Sequence, residues 1–388
     1  MLDTIVLTLD QHQFDVREPD RFSPSAQGLL TPPYFRLGAR GYFSCVQNPT
    51  RADLEGGRYL PRLTLSKRKV RAGFALTLRI EFSAPKLVFG NNFDELRSRD
   101  FGRVLAALQR GLGEMGVWVD DYTLRAARVS AIHFSKNIPF TNFTTCSMVM
   151  AELERIDLNQ RLDLSKTDYR NEGHAVRYHA NRFEVVFYDK LKDLQQARLS
   201  QKRSIESDYG RACDLFANPN AFPRNLEVLR MEVRLGTRTK ITEILRKIGA
   251  EHEPTFAALF DASVAKDALL LFWSEIRSQA IVVGYGQAQR PEDLLAALAE
   301  GATMPTRPGR LLQQLGCLVL VGSIGIRGAR AVLGRHCGAR SWQRYKKELK
   351  SLPVLDSAGF SALREVGIAL EAFTPLRIEA LSNDANRR

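Results

Sequence analysis

Four residues have types suited to phosphoryl chemistry: Tyr188, Lys190, Glu232 and His133. Tyr188 and Lys190 close the stretch RFEVVFYDKLKDL (182–194), where a strand-like apolar run gives way to a helical pattern. A phenol titrates near pH 10 when unperturbed and needs a neighbouring cation to attack at neutral pH. A divalent ion held by a carboxylate would polarise a phosphodiester and stabilise its developing charge. Lys190 would steady the phenolate or a phosphate oxygen. The plainer reading is a core aromatic followed by a solvated helix start.

Strand alternation sorts these side chains onto faces. In VLRMEVRL (228–235), Leu229, Met231, Val233 and Leu235 point one way, and Arg230, Glu232 and Arg234 the other. That triplet is either a solvated charge ladder or a site. In the tyrosine strand, Phe183, Val185 and Phe187 share one face, and Glu184, Val186 and Tyr188 the other. His133, in ARVSAIHFSKN, alternates with Ala131 and Val129 and reads as a structural histidine or a ligand. If the three strands are neighbours, Glu232, Tyr188 and His133 meet on one face.

The elements around them divide the chain. Strand-like runs fall at 4–9, 59–65, 74–82, 124–134 and 226–235, with a hairpin turning near Ala180-Asn181. Helical spacing marks Leu96, Val104, Leu105, Leu108 and Leu112; a threonine-capped helix spans 144–156, and another ends near Gly249. Beyond about residue 250 the segments read as helices. The expectation is an α+β fold with a domain over 1–248 and a mostly helical, basic domain over 249–388. With 56 Lys and Arg against 43 Asp and Glu, the 388-residue chain carries a net charge of +13, which favours a polyanionic partner over a membrane. Five cysteines without zinc-type spacing suit a reducing compartment. No signal peptide is visible, and the apolar run 315–326 is short for a membrane span, so a cytoplasmic protein without membrane contact is expected.

The ordered set of segments resembles the replication initiators of filamentous phages, the gene II/X (phage replication protein CRI) family. It is more distantly similar to the initiators of rolling-circle plasmids. MLDTIVLTL, LRIEFSAPKLVFGNN with Lys86, Gly90 and Asn92, ARVSAIHFSKNI, VVFYDKLKDL and VLRMEVRL come in the family's order, and SWQRYKKEL (341–349) matches a further segment. The resemblance implies an antiparallel-sheet nuclease domain of the HUH/Rep type. It implies a site-specific nickase that joins Tyr188 to a 5′ phosphate of DNA, with Lys190 assisting and a Mg²⁺ or Mn²⁺ ion held by Glu232 and His133. His133 stands where the family usually has an aspartate, and histidine suits Mg²⁺ less well. Single-stranded DNA at the nick, a duplex origin and a host helicase are the expected partners, with Arg230, Arg234, Lys86 and Asn92 at the DNA. Tyr178 and Tyr169 are candidates for a second nucleophile.

The segment 325–350 holds eight basic residues and one acid. Arg327, Arg330, Arg335, Arg340, Arg344, Lys346 and Lys347 are expected to contact DNA phosphates from a helix-turn-helix-like unit broken near Cys337-Gly338. Trp342 and Tyr345 read as core anchors or base stackers. The glycines at 322, 325 and 328 do not have dinucleotide-loop spacing, and no βαβ unit follows them. The rival function is a non-catalytic origin binder or repressor. A relaxase is disfavoured because no His-x-His pair is present.

Overall fold

The alternation in 183–189 and 227–235 becomes two paired strands whose apolar side chains fall on one side. The computed structural model describes residues 1–30, 42–50, 52–53, 57–71, 73–158, 166–170, 174–199, 226–250, 252–280, 290–301, 307–333, 336–350 and 362–378. Nine strands form one sheet. They are β1 (Leu2–Asp10), β3 (Tyr42–Gln47), β4 (Arg62–Val70), β5 (Gly73–Ser83), β7 (Arg128–Phe140), β8 (Lys166–Arg170), β9 (Ala175–Ala180), β10 (Phe183–Asp189) and β11 (Glu227–Leu235). Their order is β3-β4-β5-β1-β7-β11-β10-β9-β8, and every pairing is antiparallel. Short strands β2 (Asp15–Val16) and β6 (Val117–Trp118) pair separately.

One face of the sheet is apolar and carries the core. Leu229, Met231, Val233 and Leu235 are fully buried there, as are Val185, Phe187, Ile5, Leu7, Leu78 and Ile80. Each such side chain contributes roughly 1.5–3 kcal/mol of burial free energy. Helices close this face: α1 (Phe101–Glu114), α2 (Cys146–Glu154), α4 (Arg238–Lys247), α5 (Ala262–Arg277) and α9 (Ala362–Ala372). α2 starts where expected because Thr145 accepts a hydrogen bond from the Met148 N–H. The strand expected from residue 124 begins at Arg128, since Asp120 caps a short helix over Asp121–Ala126 that buries Leu124.

The expected boundary at 248/249 does not separate two cores. Phe256, Leu259, Leu269, Phe272, Trp273 and Ile276 share the sheet's core, together with Leu363, Val366 and Leu370 of α9. A smaller core belongs to α6 (Pro291–Glu300), α7 (Pro308–Leu333) and α8 (Ala339–Lys350), with Leu298, Leu318, Val321, Ile326 and Trp342 inside it. Trp342 is therefore a core anchor, and Tyr345 bonds Gln313.

Contrary to the short-run expectation, α7 is long and apolar enough to cross a membrane, by length and composition. It is bent at Gly325, where φ is +74°, and the Arg155 side chain occupies the space a Cβ there would need. Arg155 also donates to the carbonyls of Gly322 and Ser323. The glycines thus shape a docking joint and no nucleotide loop.

Candidate functional site

The opposite face of β7, β9, β10 and β11 is polar, and register decides who meets whom. Glu232 lies opposite Val186 on one side and Ser135 on the other; Tyr188 pairs with Arg230, and Arg234 with both Glu184 and His133. Tyr188, Glu232 and His133 thus share one face, as the alternation implied. Glu232 lies between the other two: Tyr188 and His133 are its diagonal neighbours on opposite sides.

The geometry is an alternating chain of charges across four strands. Arg177 of β9 bonds Glu184 of β10, and Glu184 faces Arg234 Nη1 at 3.6 Å. Arg234 Nε donates to Glu232 Oε2 at 2.8 Å, and its Nη2 forms an ion pair with the same oxygen at 2.7 Å. Arg230 Nε donates to Glu232 Oε1 at 2.7 Å, and its Nη2 pairs with Asp3 of β1 at 2.9 Å. The Tyr188 hydroxyl donates to the same Oε1 at 2.7 Å. Arg230 is pinned further by the Asn92 carbonyl, Asn137 Oδ1 and Ser135 Oγ.

These contacts set the titration behaviour. Burial and the Glu232 charge push the Tyr188 phenol well above its usual range, against Arg230. Burial alone would raise the Glu232 carboxyl, but Arg234 and Arg230 outweigh it and hold the group far below the usual carboxylate range. Burial lowers His133 against the pull of Glu232, so the imidazole is neutral at neutral pH. In this arrangement Tyr188 is a protonated donor and Glu232 a weak base.

A small apolar wall stands at the Tyr188 end of this face. Phe93, Leu194, Leu226, Val228, Leu376 and Ile378 pack together beside helix α3 (Lys190–Leu199). Buried Glu95 ties the wall to β7 and to the C-terminal segment. It accepts from Lys136 Nζ and the Asn137 N–H, each at 2.6 Å, and from the Leu376 N–H at 2.8 Å.

The other expected site residues are scattered. Lys190 is buried, with Nζ 5.9 Å from the Tyr188 ring centroid and 3.7 Å from Asp193, so it faces the ring. Arg230 is 1% exposed and serves as an internal anchor, which corrects its expected role at DNA. Asn92 meets the site through its backbone carbonyl, while Lys86 lies against the Tyr59 ring. Arg330 and Lys346 are spent on buried Asp157, at 2.9 Å and 3.7 Å, and the Arg327 backbone N–H donates to the Arg155 carbonyl. Arg335 lies outside the described residues. Arg340, Arg344 and Lys347 are exposed and line one face of α8. Tyr178 is fully buried and donates to the Leu153 carbonyl, which removes it as a second nucleophile; the Tyr169 side chain lies outside the described residues.

The expected metal site does not fit these residues. A carboxylate offers about four lone-pair sites. Glu232 already accepts three hydrogen bonds, from Tyr188, Arg230 and Arg234, and the Arg234 Nη2 crowds the same Oε2 at 2.7 Å. An ion reaching it would stand between two guanidinium groups, and Arg234 is the cross-strand partner of His133. Among the described residues one cluster has metal-ligand spacing, Cys146, Asp189 and Glu227. It lies on the apolar side, where Asp189 caps α3 and Glu227 accepts the Cys146 N–H.

No protein-family model, curated protein or solved structure matches the chain. The site is therefore read from its own geometry. Asp3, Arg177, Ser135 and Asn137 were not singled out from sequence. Alternation in AVRYHA would have flagged Arg177, whereas Asp3 needed the knowledge that β7 alone separates β1 from β11.

Proposed function

We propose that the chain is a DNA strand-nicking and joining enzyme of the rolling-circle initiator type, with Tyr188 as the nucleophile. The observation that supports this best is the Tyr188 hydroxyl on Glu232, inside a chain of paired charges on a polar sheet face. A strand fixes this phenol more rigidly than a loop would. The basic face of α8 would hold duplex DNA, and the sheet face the single strand. Tyr188 attacks phosphorus, the 3′ oxygen leaves, and the phosphotyrosine keeps the bond energy for rejoining without ATP. A non-catalytic origin binder is the second reading, favoured by the fully engaged state of Glu232.

The deciding experiment incubates the protein with a labelled, sequence-randomised single-stranded DNA pool and resolves it on a denaturing gel. Wild type is expected to form a covalent adduct. Tyr188→Phe is expected to form none while staying folded, since it keeps the ring and gives up only the hydrogen bond to Glu232, worth about 1.5–3 kcal/mol. An adduct with Tyr188→Phe would move the nucleophile elsewhere. No adduct with wild type would favour the binder.

A further inference from the structure

We propose that strand transfer at Tyr188 needs no divalent metal, and that the Arg234 guanidinium takes the place of the ion. This rests on the nicking function proposed above and concerns how the same site handles phosphate charge.

Three observations converge. First, both Glu232 oxygens are engaged, Oε1 by the phenol and Arg230 and Oε2 by Arg234, so an ion would have to displace one of them. Second, the cluster is already balanced. Arg177, Arg230 and Arg234 face Asp3, Glu184 and Glu232, so a divalent cation would add two uncompensated charges. Third, Arg234 is placed to change partners. Its side chain is 34% exposed, against 2% for Arg230 and for Glu232, and its Nη1 has only a 3.6 Å approach to Glu184. A guanidinium presents a planar fork of donors that matches two phosphate oxygens, which a hydrated metal ion is not needed to supply. Arg234 and the Tyr188 hydroxyl approach opposite oxygens of one carboxylate, so a phosphate bridging them sits beside the nucleophile.

The exchange also arms the nucleophile. When Arg234 turns from Glu232 to the phosphate, Glu232 loses one of the two cations that weaken it as a base. It then takes the Tyr188 proton as Oη bonds to phosphorus. The bond from phosphorus to the 3′ oxygen breaks, its electron pair stays on that oxygen, and the oxygen takes the proton from Glu232. Glu232 ends as a carboxylate, Tyr188 as a phosphodiester and the released strand as a 3′-hydroxyl. Arg230, held by five acceptors, stays in place and keeps Glu232 aimed at the phenol.

The test uses the full-length protein dialysed against EDTA, its metal content checked by elemental analysis, on the same DNA pool. Adduct formation is followed with EDTA, Mg²⁺ or Mn²⁺ present. The expected result is an adduct in EDTA, at a rate that either ion changes by no more than about twofold. Arg234→Ala should slow it by about 10²–10³-fold, the loss typical of removing one preorganised charge-stabilising donor. Arg234→Lys, which keeps the charge but not the fork, should fall between. Thermal melts of both variants separate lost folding from lost chemistry. An adduct that forms only with a divalent ion would overturn the inference and leave the nicking function standing. No adduct under any condition would sink the nicking function and this inference with it.

Discussion

At the scale of single residues, Glu232 is the pivot, because it aims the phenol and is itself fixed by two arginines. Its folded-state titration lies far below the ordinary carboxylate range, held there against burial by Arg234 and Arg230. A depressed carboxyl stabilises the fold fully above its unfolded pKa of about 4.3 and progressively less as pH falls from there toward the folded value. Glu232→Gln removes the charge and leaves Arg230 short of a partner in the core, which should cost about 3–5 kcal/mol at pH 7. Chemical denaturation at pH 7, 5, 4 and 3 should show that cost shrinking below about pH 4.3. A cost independent of pH would show that the ion pairs contribute nothing. Tyr188 and Glu232 were legible in the sequence because strand alternation sorts side chains whatever the sheet order. The strand passes into a helix right after Asp189, as the pattern implied, and the helix turns the Lys190 ammonium toward the Tyr188 ring.

At the scale of elements, the bend in α7 is what lets the smaller helical core seat against the sheet domain. Gly325 has a φ of +74°, and a Cβ there would lie 2.5 Å from Arg155 Cβ. Gly325→Ala should therefore cost about 1–3 kcal/mol from backbone strain alone, and more if Arg155 is displaced. Hydrogen exchange should show α6, α7 and α8 losing protection while β7, β10 and β11 keep theirs. Uniform loss across the sheet would mean that the two cores unfold together. Helices after residue 250 were legible from their apolar spacing, but their partition was not. The buried stripe of α5, with Leu269, Phe272 and Ile276, looks in sequence like that of α7, yet one belongs to the sheet's core and the other to the smaller one. Periodicity states that a face is buried and not against what.

At the scale of the whole molecule, the excess of positive charge resolves into two populations that sequence alone could not tell apart. Arg330 and Lys346 neutralise Asp157 at the seam between the two cores, whereas Arg340, Arg344 and Lys347 face outward. Replacing those three with alanine should weaken duplex binding and reduce the slope of log affinity against log salt by about 2.7, or roughly 0.9 for each phosphate contact. An unchanged slope would remove α8 from the DNA interface. Point variants are the right tool here, because cutting the chain near residue 250 would also remove α5 and α9 from the main core. The polar face draws on distant parts of the chain as well: Asp3 anchors Arg230 from β1, and Leu376 docks on Glu95 beside Asn137. During synthesis, residues 376–378 leave the ribosome long after β11 has done so. A nascent chain therefore carries Tyr188 and Glu232 well before it can close the wall beside them. Assembly of this site is timed by translation, and it waits on residues 376–378.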